Sequence, residues 1–160
     1  MMKAMRVVME AVICLILLLI YFLATPPRLA GAEEITSYSH VLEDSSLLVA
    51  GQKIWLYGIY IPLNDRTCRT YEIPIRCGQR SLLALEFKIE PYFVSCEKKA
   101  EREDGSIEAL CRVRGEDLSA WMLQQGWAVA LPDAPFEYQV LEKIARHHSR
   151  GIWGIVSGPP

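Results

Sequence analysis

The stretch Leu48-Val49-Ala50-Gly51-Gln52-Lys53-Ile54-Trp55-Leu56-Tyr57-Gly58-Ile59-Tyr60-Ile61-Pro62 decides how the rest of the chain is read. Ser46 to Ala50 is a short apolar run, and Gly51-Gln52 is a turn signal. From Lys53 to Ile59, Ile54, Leu56 and Gly58 alternate with Trp55 and Tyr57, a period of two residues. That period predicts an antiparallel hairpin with one face buried and the other aromatic. Pro62 has no amide proton to give to a ladder, so the strand ends there and a polar loop with Asn64, Asp65 and Arg66 follows.

Upstream, Ile35 to Leu42 predicts another strand, divided from the hairpin by the polar Glu43-Asp44-Ser45. Downstream, a helix is expected from about Gly78 to Lys88, with Leu82, Leu85 and Ile89 on one face. Tyr92 to Cys96 and Ile107 to Val113 predict a second antiparallel pair, connected by the charged run Glu97 to Asp104 and a turn at Asp104-Gly105. Glu116-Asp117 open a helix carrying Leu118, Trp121 and Met122 that stops at Gly126. A last helix runs from about Phe136 to Arg150, with Gly151 as its C-cap. The order of three strands, helix, two strands, helix, helix predicts a mainly β, α+β domain: a five-stranded OB-type barrel with three helices.

Residues 1–32 read as a targeting segment and residues 33–160 as the single folded domain. Lys3 and Arg6 precede an apolar run from Ala11 to Ala24, Pro26-Pro27 breaks any helix, and Ala30-Gly31-Ala32 offers a signal-peptidase site. Cleavage after Ala32 is the expectation. The competing reading is an uncleaved membrane anchor over residues 7–24, which approaches the required length of about 20 apolar residues only by including Glu10. Both readings put the domain outside the cytoplasm, in the periplasm, secreted, or attached to the inner membrane.

Cysteine usage agrees with export. Of five cysteines, Cys14 lies in the targeting segment, leaving Cys68, Cys77, Cys96 and Cys111. An even number in an exported domain indicates disulfides, and no Cys-x-x-Cys or close Cys–His spacing suggests zinc. Charge argues against a polyanionic partner. Without Lys3, Arg6, Arg28 and Glu10 of the targeting segment, 14 Lys+Arg face 18 Asp+Glu, a net of −4. Nucleic-acid binders carry the opposite excess, because cations displace the counterions of phosphate.

Three ordered segments of this chain resemble the staphylococcal-nuclease-like (thermonuclease) family. Leu48 to Pro62 looks like the family's second and third strands. Asp117-Leu118-Ser119-Ala120-Trp121-Met122-Leu123-Gln124-Gln125-Gly126-Trp127-Ala128 looks like its helix ending in a Gly-Trp/Leu-Ala step. Glu142-Lys143-Ile144-Ala145-Arg146 with Gly151-Ile152-Trp153-Gly154 is similar to the end of the last family helix. Together they cover nearly all of residues 33–160. Resemblance to exported family members implies the pairings Cys68–Cys77 and Cys96–Cys111, each closing a loop on the order of 10 to 15 residues and adding about 2–4 kcal/mol.

The resemblance also implies what a working site needs: carboxylates for calcium, a glutamate as base or water orienter, and two arginines for the charge that builds on the phosphoryl oxygens. This chain departs at each position. The family's Asp-Gly-Asp-Thr turn reads Glu43-Asp44-Ser45-Ser46, so Ser45 replaces a metal carboxylate. Trp55 stands for the strand-three arginine, Tyr60 for the second metal carboxylate and Leu63 for the glutamate. The Tyr-Gly-Arg step reads Asp104-Gly105-Ser106, so Ser106 replaces the second arginine. No catalytic residue, metal or cofactor is therefore expected, and the calcium site reads as lost.

Other polar residues carry little chemistry. Asp44, Asp65, Arg66 and Arg69 read as solvated loop charges, and Arg146-His147-His148 with Arg150 as the cationic last turn of a helix. His40 is given no role. Trp55, Tyr57 and Tyr60 are the candidate cleft for a ligand or partner, or aromatic filling of the space a lost ion leaves. The expected function is a non-catalytic binding or scaffold domain of the cell envelope with an unidentified partner. The alternatives are an exported nuclease with a rearranged site and, more weakly, a carbohydrate-binding module.

Overall fold

The computed structural model describes residues 13–17, 20, 33–63, 67 and 76–156. The chain divides into Met1–Gly31 and Ala32–Pro160. In the first unit residues 13–17 and 20 are helical, and the expected signal-peptidase site lies outside the described residues. Among the described residues no helix is long and apolar enough to cross a membrane.

The second unit is mixed α+β and mainly a nearly closed, barrel-like sheet. Its strands are β1 (Glu34–Ser37), β2 (Ser39–Val41), β3 (Leu47–Val49), β4 (Gln52–Leu56), β5 (Ile59–Tyr60), β6 (Val94–Glu101), β7 (Ile107–Val113), β8 (Glu116–Asp117) and β9 (Val129–Ala130). Its helices are α1 (Cys77–Ile89), α2 (Leu118–Gln124) and α3 (Phe136–His147), followed by a 3-10 helix at Gly151–Val156. The main sheet runs β1-β6-β7-β4-β3-β2, and β8 adds to β7. Only Tyr38 separates β1 from β2, so one run of chain supplies both ends of the sheet.

Strand alternation makes the core. In β7, Ile107, Ala109, Cys111 and Val113 point inward and are buried, while the residues between them face outward. Leu47, Val49, Ile54 and Leu56 do the same from β3 and β4. Leu85 and Ile89 of α1 and Leu118, Met122 and Leu123 of α2 complete the same cluster. Cys96 and Cys111 face each other across β6 and β7, wholly buried, and are joined as a disulfide. Cys77, at the start of α1, is also disulfide-bonded; Cys68, its expected partner, lies outside the described residues.

Several boundaries differ from expectation, each for a reason in the tertiary contacts. The strand expected over Ile35 to Leu42 breaks at Tyr38, where the chain leaves β6 and begins to pair with β3; the Tyr38 ring stacks on Phe93 at 4.2 Å. The strand expected through Ile59 ends at Leu56. The Gly58 carbonyl then accepts from Leu131, which carries the chain into a second sheet, β5 with β9. The charged run from Glu97 to Asp104 is strand as far as Glu101, because the hairpin extends beyond the core and Lys98–Glu101 and Lys99–Glu97 ion pairs cover it. Glu116 and Asp117 pair with β7 before the helix begins, and Asp117 caps α2 by accepting from the Ser119 and Ala120 amides (2.8 and 3.2 Å).

The third helix ends at His147, not Arg150. Ser149, at φ 51°, takes the left-handed position, and the Ser149 and Arg150 amides close on the Arg146 and Ala145 carbonyls (3.1 and 2.9 Å). Gly151 serves packing instead: a Cβ there would lie 2.3 Å from the Gly126 carbonyl oxygen. Gly126 ends α2 as expected, and a Cβ on it would lie 2.4 Å from the Arg150 oxygen. The two glycines let the ends of α2 and α3 meet backbone to backbone. Gly126→Ala is expected to lower stability by about 2–4 kcal/mol, and Ser149→Gly to raise it by about 0.5–1 kcal/mol, both read by urea denaturation. Replacing Cys96 and Cys111 together by alanine is expected to cost about 2–4 kcal/mol in the same measurement.

Candidate functional site

The parallel register of β4 on β7 opposes Trp55 to Glu108 and Ile54 to Ile107. Alternation buries Ile54 and Leu56 and turns Trp55 outward, beside the β6–β7 hairpin. There the Trp55 indole Nε1 donates to Ser106 Oγ at 3.1 Å, which fixes the ring. The Arg102 guanidinium lies 4.7 Å from its centroid and Lys53 Nζ 5.2 Å from it. Arg102 is brought in by the hairpin turn, where its amide donates to the Ser106 carbonyl (2.8 Å) and its carbonyl accepts from the Gly105 amide (3.0 Å).

Two turns of like construction flank the ring. In Asp44-Ser45-Ser46, Asp44 Oδ1 accepts from the Ser46 amide (3.1 Å) and hydroxyl (2.5 Å). In Asp104-Gly105-Ser106, Asp104 Oδ1 accepts from the Ser106 amide (3.0 Å) and hydroxyl (2.5 Å). The middle residue is left-handed in both, Ser45 at φ 72° and Gly105 at 79°. Gln52 Nε2 donates to the Gly105 carbonyl (3.0 Å), tying the second turn to the start of β4.

Between these elements lies a cleft of about 260 Å³. Its buried floor is Leu56, Ile59 and Ile61, with Leu131 beside them. Trp55 and Arg102 form a wall, and Asp44 and Ser45 part of the rim. Tyr60 and Leu63, 41% and 38% exposed, stand at the mouth.

Among the described residues the rim charges are matched in pairs. Lys53 Nζ meets Asp44 Oδ2 at 2.5 Å, and Arg102 Nε donates to Glu108 Oε1 at 3.0 Å. Partial burial pushes the Asp44 carboxyl up, but hydrogen bonds from Lys53 and Ser46 and the Lys53 charge outweigh it and hold the group below its ordinary value. Hydrogen bonds from the Ser106 hydroxyl and amide do the same for Asp104. Ser45 Oγ is directed at the Pro62 carbonyl (3.4 Å). Among the described residues no group of three or more His, Cys, Asp or Glu is arranged to share a metal ion.

Compared with protein-family models and with curated proteins, the chain finds no match. Ser45, Trp55, Tyr60 and Leu63 share the cleft, and Ser106 stands behind Trp55 as its hydrogen-bond acceptor. Tyr57 does not line it. That residue lies in the turn after β4, its amide bonded to the Ala109 carbonyl (3.0 Å) and its carbonyl to Ser119 Oγ (2.9 Å). Asp65, Arg66 and Arg69 lie outside the described residues. His147 and His148 pack edge to face at the end of α3.

Arg102 and Leu131 are cleft residues that the pattern of residues did not single out. Arg102 was legible in principle: continuing β6 through the charged run sets it across the Asp104-Gly105 turn from Ser106. Leu131 carries no such signal, because it arrives through β9 and its amide bond to the Gly58 carbonyl.

The depressed Asp44 carboxyl gives a signed pH effect. A group whose folded value lies below its ordinary one of 3.8 stabilises the fold above that value and loses the effect as pH falls through the folded value. Asp44→Asn is thus expected to cost less than about 1 kcal/mol at pH 7. The difference from the parent should shrink below about pH 4, as read by urea denaturation at pH 7, 5 and 3.

Proposed function

We propose that this chain is an exported OB-type barrel of the staphylococcal-nuclease-like kind that has lost its nuclease machinery and serves as a non-catalytic binding or scaffold protein of the cell envelope. One observation carries the reading. Of the five positions where the resemblance puts catalytic or metal-binding groups, four line a single cleft as Ser45, Trp55, Tyr60 and Leu63, and the fifth, Ser106, stands behind Trp55 as its hydrogen-bond acceptor. Such convergence is what a shared ancestral site would leave.

The topology supports the barrel type. Counting β1 and β2 as one bent strand, the main ring has five strands, with β4 and β7 parallel and every other pair antiparallel. The donor set speaks against calcium. That ion takes 6–8 oxygens, carboxylates foremost, whereas Asp44 is neutralised by Lys53 and its neighbours in the cleft are hydroxyls, apolar side chains and the cation Arg102. The charge neutralisation a phosphoryl transition state needs is missing for the same reason, since Arg102 is held by Glu108. Loss of a general base costs about 10²–10⁴ in rate, and loss of a transition-state arginine about 10³–10⁵. The buried Cys96–Cys111 disulfide is consistent with an oxidising compartment; periplasmic or secreted location is part of the proposal.

The full chain, incubated with single-stranded DNA and with RNA, with and without calcium, is expected to release no acid-soluble product above a heat-denatured control. Turnover that disappears in Asp44→Ala but survives in Lys143→Ala would overturn the proposal in favour of a rearranged nuclease site.

A further inference from the structure

We infer that the cleft beside Trp55 takes one uncharged aromatic ring. The inference rests on the binding-protein reading above and names the ligand class of the same site.

Size sets the first limit. An apolar cavity of about 150 Å³ accommodates one benzene ring, and drug-sized ligands occupy about 300–1,000 Å³. At about 260 Å³ the cleft has room for one ring and its first attached atoms.

Charge sets the second. Lys53 is bound to Asp44 and Arg102 to Glu108, so the charge of each cation is already offset, and a phosphate or carboxylate entering the cleft gains little from either while losing its own hydration. A neutral group avoids that loss.

Hydrogen-bonding capacity sets the third, and it separates a ring from a sugar. Asp44 already accepts from the Ser46 amide, the Ser46 hydroxyl and Lys53. The Ser45 hydroxyl is directed at the Pro62 carbonyl, and the Trp55 indole proton at Ser106. A pyranose would find Asp44, Ser45 and the Trp55 indole already engaged, and of the lining only the Tyr60 hydroxyl and the remaining Arg102 N–H groups could meet its several hydroxyls, of which any left unpaired is costly.

What the cleft does offer is apolar contact: the buried floor of Leu56, Ile59 and Ile61, and the solvated apolar surface of Tyr60 and Leu63 at its mouth. Its wall favours an aromatic occupant over an aliphatic one. The Trp55 ring and the Arg102 guanidinium lie together, a flat aromatic surface with a cation at its side, and both interact with the face or edge of a second ring.

The test follows the Trp55 indole N–H resonance of the full chain by 1H–15N NMR during titration with small probes. N-acetyl-tryptophanamide and N-acetyl-phenylalaninamide are expected to shift it saturably, with Kd on the order of 1 mM. N-acetyl-leucinamide should bind at least about five-fold more weakly, and N-acetylglucosamine and thymidine monophosphate should leave the resonance in place. Leu63→Glu, at an exposed mouth position, is expected to weaken the aromatic amides at least about ten-fold with melting temperature unchanged. The inference is overturned if neither aromatic amide gives a saturable shift, if the sugar or nucleotide binds as tightly, or if Leu63→Glu leaves aromatic affinity intact. None of these outcomes touches the loss of nuclease activity, which only turnover of nucleic acid would contradict.

Discussion

Parallel pairing of β4 with β7 is the constraint on which the rest of the molecule depends. The two strands lie far apart in the chain, and parallel neighbours cannot be joined by a tight turn, so a crossover must intervene. Here α1 and β6 supply it. β6 then returns antiparallel to β7 and pairs on its other side with β1, which brings the two ends of the sheet together. The register also sets the cleft. Opposing Ile54 to Ile107 puts the next residue, Trp55, beside Ser106 and Glu108, and so beside the Arg102 that Glu108 holds. A shift of one residue would turn Trp55 inward and Ile54 out.

The helical side of the domain hangs on a few polar contacts made in the same region. One oxygen of Asp117 caps α2, and the other accepts from the Tyr138 hydroxyl of α3 at 2.5 Å. Burial, then that hydrogen bond and the Asp117 charge, push the Tyr138 hydroxyl well above its ordinary value, so it remains a donor. Buried Glu142 accepts from the Ala130 amide (2.7 Å) and from Arg146 Nε (2.7 Å), which holds β9 and the Leu131 wall of the cleft against α3. The contact between Gly126 and Gly151 then closes the helix pair. Cleft and helices are thus coupled through one short segment, residues 128–131.

Two kinds of surface meet at the cleft. Its interior is apolar and aromatic, while its rim is charged but internally neutralised. A phosphodiesterase needs the reverse, cations and a metal free to face a substrate anion. What is present is a small buried apolar floor, an aromatic wall fixed by a hydrogen bond, and rim charges offset by neighbours among the described residues.

Much of the framework was legible in the sequence because the period of two is local. Ile54 and Leu56 inside with Trp55 outside, and Ile107 to Val113 as a strand, follow from which residues alternate. The end of α2 at Gly126 follows from glycine's tolerance of the left-handed conformation. The missed boundaries of these strands share one cause. Tyr38, Tyr57 and Glu97 to Glu101 all lie where a strand changes partners or outruns the core, and hydrogen bonds from distant residues decide such points. By itself the sequence determined the main strands and helices and the uncharged character of Ser45, Trp55, Tyr60, Leu63 and Ser106. Only the tertiary structure decided that four of these line one cleft with Ser106 behind Trp55, that Arg102 and Leu131 join them while Tyr57 does not, and that the rim charges among the described residues already have partners. Register and the Trp55–Ser106 hydrogen bond join residues about fifty positions apart, a separation no local pattern can encode.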